Sequence, residues 1–131
     1  MNPKLSKMII PSALAFLLIA CAGGSPVKNV DNAPINASSP DYDLSDVSKA
    51  IRRVGIGTGW KMKERAPGNI VGALSWRSHL AVIAITFTLD EYSISYEDST
   101  NLRYDGHSIH RNYNSRIEKL NDAINEQLMA L

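Results

Sequence analysis

The sequence predicts an α+β fold: a short N-terminal helix, a four-stranded antiparallel meander and a long C-terminal amphipathic helix packed on one face of the sheet. Three observations carry this expectation. Ile109, Tyr113, Ile117, Leu120, Ile124, Leu128 and Leu131 step by three or four residues, which lays them along one stripe of a helix. From Trp60 to Glu97 the chain runs in short apolar–polar stretches broken by turn signals, the pattern of strands joined as hairpins. His79–Thr88, HLAVIAITFT, is apolar on both faces, as a central strand should be.

The elements follow in order. Leu44, Val47, Ala50, Ile51 and Val54 fall at helical spacing behind Asp43 as N-cap, and Gly55 stands where a C-terminal cap belongs. The first helix is therefore expected over Leu44–Val54. The glycine-rich GIGTGW, Gly55 to Trp60, has a helix before it and a strand pattern after it. A phosphate-binding loop needs the reverse order, so this run is read as a turn into the sheet. Trp60–Glu64 alternates as a first strand, Pro67-Gly68 suits a type II turn, and Ile70–Trp76 makes a second strand. Arg77-Ser78 links it to the central strand. Leu89-Asp90 turns the chain into a strand whose Tyr92, Ile94 and Tyr96 alternate with Ser93, Ser95 and Glu97. Links this short force antiparallel neighbours. The apolar stripe of the last helix is the natural cover for one sheet face, with Arg111, Glu118, Lys119, Asp122 and Glu126 turned away from it.

The beginning of the chain reads as an address. Lys4 and Lys7 precede Met8–Ala20, thirteen apolar or uncharged residues, in the order of a secretory signal. The run is shorter than the roughly 20 apolar residues of a membrane span. It closes on Leu18-Ile19-Ala20-Cys21, which resembles the lipobox of bacterial lipoproteins. The resemblance implies cleavage before Cys21, a diacylglycerol on the Cys21 sulfur, and an acyl group such as palmitate on the new amine. Cys21 is the one cysteine of the chain, so no disulfide can form within it, and two or more acyl chains hold a protein stably on a bilayer. Ala22, in place of the aspartate that favours inner-membrane retention, points to the outer membrane facing the periplasm.

These readings divide the chain into a signal peptide (1–20), a lipidated cysteine with a flexible tether (21–42) and a small periplasmic domain (43–131). The tether follows from AGGSPVKNVDNAPINASSPD, Ala22 to Asp41, which has few large apolar residues and no periodicity. Such a tether would span roughly 25 Å. Without Lys4 and Lys7 the chain carries 12 basic and 13 acidic side chains, a net charge of −1. Composition thus gives no footprint for nucleic acid and no reason to expect strong attraction to anionic lipid.

Tyr96–Asn114, YEDSTNLRYDGHSIHRNYN, holds two histidines, three acids and three tyrosines, and is the richest stretch chemically. His107 and His110 are three apart with Asp105, Asp98 and Glu97 nearby. A zinc site needs three or four ligands in a defined arrangement, and no cysteine is at hand. Ser95, Ser99 or Ser108 beside a histidine and an aspartate lists the parts of a triad without its geometry, and no serine sits in a nucleophile-elbow pattern. The plain structural account is a strand end, a turn at Asp105-Gly106 and a helix start, with Asp105 or Ser108 capping the first turn.

The same residues carry a family resemblance. Tyr92, Ile94, Tyr96, Ser99 and Leu102, followed by Ile109, His110, Tyr113 and Asn114, are similar to a pattern of small bacterial lipoproteins of uncharacterised function. Gly59-Trp60, Pro67-Gly68 and Arg77-x-His79 fit it as well, while Arg116 departs from it where an aromatic residue is expected. The resemblance implies no activity. The expectation is a non-enzymatic binding or structural component of the cell envelope, attached to the membrane through Cys21, with no cofactor and an envelope protein as possible partner. Its candidate interaction surface is Tyr96, Asp98, Ser99, Asn101, Tyr104, His107 and His110. The alternative is a histidine-dependent metal-binding or hydrolytic periplasmic protein.

Overall fold

The structure, a computed structural model, describes residues 24–131; the signal segment, Cys21 and Ala22 lie outside the described residues. Nine elements follow one another: β1 (Gly24–Pro26), β2 (Val30–Pro34), α1 (Leu44–Gly57), β3 (Lys61–Ala66), β4 (Asn69–Trp76), β5 (His79–Phe87), β6 (Glu91–Thr100), β7 (Ser108–His110) and α2 (Arg111–Met129). The α+β class stands, and β3 to β6 form the expected antiparallel meander with β5 at its centre. The sheet has a fifth strand, however, in the order β2-β6-β5-β4-β3, and β1 pairs with β7 in a separate two-stranded ribbon.

Both additions come from the segment read as a tether. Ser25 lies opposite Ile109 in the ribbon, and Val30 and Ala33 lie opposite Ile94 and Tyr92 at the sheet edge. The flexible reading of 24–42 and the domain boundary at 43 are therefore corrected: the ordered chain begins by Gly24. The physical reason is that an edge strand needs little apolar surface of its own. Its backbone is satisfied by the neighbouring strand, and proline is tolerated there. Val27, Val30, Ala33, Ile35 and Tyr42 still pack against the core, but their irregular spacing hides that in the sequence.

One face of the sheet is buried. Cross-strand rows Ile70–Ile85–Ile94 and Leu74–Ala81, with Phe87 opposite Tyr92, place the apolar side chains of β4, β5 and β6 on the same side. Two helices cover it, not one. Tyr113, Ile117, Leu120, Ile124 and Leu128 of α2 are buried as the stripe predicted, and Val47, Ala50 and Ile51 of α1 lie beside them. The helices run antiparallel, Asp46 and Ala50 meeting Gln127 and Leu131 at one end, Thr58 meeting Arg116 and Lys119 at the other. Burying one large aliphatic side chain is worth about 1.5–3 kcal/mol, so this single layer carries most of the stabilisation.

Two helix limits differ from expectation. Asp43 is the N-cap as read, in a capping box with Asp46, yet α1 runs past Gly55 to Gly57. Gly55 is where α1 meets β3: a Cβ there would lie 2.2 Å from Met62 Cε. At the other helix, Ile109 belongs to β7 and α2 starts at Arg111. Gly68 has φ 76°, and a Cβ on it would come 2.7 Å from the Phe87 carbonyl oxygen, so the APGN turn requires glycine.

The arm formed by β1 and β2 is open to direct test. The Val27 and Ile35 amides donate to the His107 and Asp90 carbonyls at 2.9 and 2.8 Å. In hydrogen exchange both should be slowed by about 100-fold or more relative to the unfolded chain, whereas a tether would exchange at the unfolded rate.

Candidate functional site

The meander brings the end of β4, the start of β5 and the end of β6 to one end of the sheet. There the loop from Asn101 to His107 folds over Leu102, which is 1% exposed, and the His110 amide donates to the Leu102 carbonyl at 2.8 Å. The two turns are tied together. His79 Nδ1 lies 2.6 Å from the Asn101 carbonyl oxygen, so Nδ1 must carry the proton, and Asn101 Nδ2 donates to Ser78 Oγ at 2.7 Å. Around this tie the His79 ring sits 5.2 Å from Trp76 and 6.0 Å from His110. Arg116 lies over the Trp76 ring at 4.3 Å, a cation–π contact. Of four non-glycine residues with positive φ among the described residues, three are here: Arg77 (51°), Asn101 (56°) and Arg103 (53°).

The tyrosines form a second group. Tyr96 and Tyr104 stack with ring centroids 3.9 Å apart, and Tyr96 meets Tyr113 edge-on at 5.8 Å. The Tyr96 hydroxyl bonds Ser99 Oγ at 2.7 Å. The Tyr113 hydroxyl is buried without a hydrogen-bond partner, and burial, reinforced by Tyr96 and Tyr104, pushes its pKa well above the ordinary tyrosine value.

The candidate residues are thus partly gathered and partly dispersed. Tyr96, Ser99 and Tyr104 are together, and Asn101 joins His79 and Ser78. Asp98 stands opposite Val82 on the uncovered face of the sheet, beside a bulge at Glu97. Asp105 does not cap α2: its Oδ1 accepts from the His107 and Ser108 amides at 2.9 and 2.7 Å. These bonds, Ser108 first, hold its carboxyl below the usual range. The α2 cap is His110, whose Nδ1 accepts from the Asn112 amide at 3.1 Å. The close histidine pair is His79–His110, not His107–His110, and each of those two rings already uses Nδ1. Among the described residues no group of three or more His, Cys, Asp or Glu is placed to hold a metal ion.

Sequence reasoning missed Trp76, Arg77, His79, Arg103, Arg111 and Arg116 as members of this end. The available signal was topological: in a meander, the β4–β5 turn must lie beside the end of β6. The recess here, between Thr58, Trp60, Leu74, Arg116 and Lys119, measures about 20 Å³, room for about one water. The arrangement is a surface, with no cavity for a small substrate at this recess.

The arm is fastened to the same end. Gly24 lies opposite His110; Asn114 Nδ2 donates to the Pro26 carbonyl and Asn114 Oδ1 accepts from the Lys28 amide, both at 2.9 Å. Lys28 Nζ reaches Glu118 at 2.8 Å. A scan against protein-family models, a search of curated proteins and a search of solved structures each find no match to this chain.

Tyr113→Phe should fold at least as stably as the native chain, gaining up to about 1 kcal/mol in thermal or urea melts, because it removes an unpartnered buried hydroxyl. The advantage should widen above about pH 10. There the unfolded Tyr113 ionises before the folded one, so the native chain loses stability as pH rises. A loss of more than about 1 kcal/mol would mean that the hydroxyl has a bound partner.

Proposed function

We propose that the protein is a lipid-anchored component of the bacterial cell envelope. It is attached through Cys21, outer-membrane and periplasm-facing, and acts by binding or by structural support, without catalysis. The observation that carries this reading is the Lys4–Cys21 segment, a positive start, a short apolar run and Leu18-Ile19-Ala20-Cys21. The folded part is consistent with it: its chemistry-bearing residues build a tied, capped surface. The resemblance of the Tyr92–Asn114 pattern to small bacterial lipoproteins supports the same assignment.

The fold adds a consequence. If Cys21 carries the lipid, three residue steps separate it from Gly24, the first residue of β1. Three steps span at most about 11 Å, so the domain sits against the membrane surface and does not stand off on a tether. Expressed with its signal in a Gram-negative host, the native chain should incorporate labelled palmitate and partition into detergent phase with the outer-membrane fraction. Cys21→Ser should do neither and should keep its leader. Equal labelling of both chains would overturn the anchor.

A further inference from the structure

We infer that the end of the domain bearing Arg77, Arg103, Arg111 and Arg116 docks onto anionic phospholipid headgroups of the membrane that holds the anchor. The inference rests on the lipid-anchor reading for its orientation, and on charge and geometry for the rest. Gly24, the first described residue, lies opposite His110 at this end, so an anchor at Cys21, three residue steps before it, would stay within about 11 Å of it.

The charges are sorted along the strand direction. Arg77, Arg103 and Arg111 are exposed, and none forms an ion pair among the described residues, whose two salt bridges are Lys28–Glu118 and Arg65–Glu97. All three histidines, His79, His107 and His110, gather here too. Of the acids at this end, Asp105 already accepts two backbone amides, Glu118 is paired with Lys28, and Asp98 stands on the open sheet face. The far end carries Asp41, Asp43 and Asp46 at the start of α1, Asp90 and Glu91 at the β5–β6 turn, and Glu126 near the end of α2. Tyr42 donates to the Leu89 carbonyl at 2.7 Å and ties α1's start to that turn; Lys49 and Arg53 lie alongside on α1. The far end thus carries more acids than bases, while the three exposed arginines stand at this one.

Three further features favour a flat anionic partner over a pocket ligand. Arg77 and Arg103 occupy left-handed backbone at turn tips, where glycine or asparagine would be at ease and arginine is strained. Arg111 opens α2 with no acidic residue in the first turn, so its charge opposes the helix dipole until an anion arrives. Tyr104, 39% exposed, and half-buried Trp76 add the aromatic pair favoured at membrane–water interfaces.

The test uses the processed chain beginning at residue 21 with Cys21→Ser, so that no lipid contributes, mixed with vesicles of phosphatidylcholine alone or containing phosphatidylglycerol. Binding should require phosphatidylglycerol and fall with salt. Arg77→Glu/Arg103→Glu/Arg111→Glu should lower partitioning by at least about 100-fold, and the milder Arg103→Ala/Arg111→Ala by at least about 10-fold. Circular dichroism should report an unchanged fold in both. Equal partitioning on the two vesicles, or native-like binding by the folded variants, would overturn the docking. Because no anchor is present, that failure is separate from failure of Cys21 lipidation, which the palmitate experiment reads on its own.

Discussion

The Asn114 side chain sets the geometry on which the placement of the arm depends. From the start of α2 one side-chain amide holds the arm from both sides, donating to Pro26 and accepting from Lys28 as a strand neighbour would. With Lys28–Glu118 beside it, this clasp decides where the N-terminal segment leaves the fold. Exposed salt bridges contribute little by themselves, so the amide and the β1–β7 ladder carry the attachment. The clasp in turn requires α2 to be fixed, and α2 is fixed by its buried stripe.

The sheet is used asymmetrically. Its inner face is closed by two helices, while Val71, Ala73, Leu80, Val82 and Ala84 on the outer face remain partly exposed. Across that face Arg65 of β3 reaches Glu97 of β6 through two bonds of 2.9 Å, passing over β4 and β5. Both residues sit at irregularities in the ladder, which turn them toward each other. The Arg65 hydrogen bond holds the Glu97 carboxyl below its usual range. The pair braces a face that no other element covers among the described residues.

Much of this was legible in the sequence where periodicity was strong. The α2 stripe, the Asp43 cap, the Pro67-Gly68 turn and the central position of His79–Phe87 all follow from local pattern. The arm was not legible, because pairing with β6 and β7 supplies what Asp31, Asn32 and Pro34 lack by composition. The His110 cap was missed because a ring nitrogen replaced the usual hydroxyl or carboxylate. The sorting of charge was invisible for a different reason: net charge sums over the chain, whereas Arg77 and Arg103 become neighbours only when the meander folds.

The proposed orientation on a membrane is the most direct thing to measure. Cys21 is the one cysteine, so in protein lipidated there as proposed a spin label can be placed alone at Tyr104→Cys or at Asp90→Cys and its depth read by power saturation in vesicles. Docking by the cationic end places the label at 104 among the headgroups and the label at 90 in bulk water. Equal depths, or a label at 90 nearer the bilayer, would contradict it.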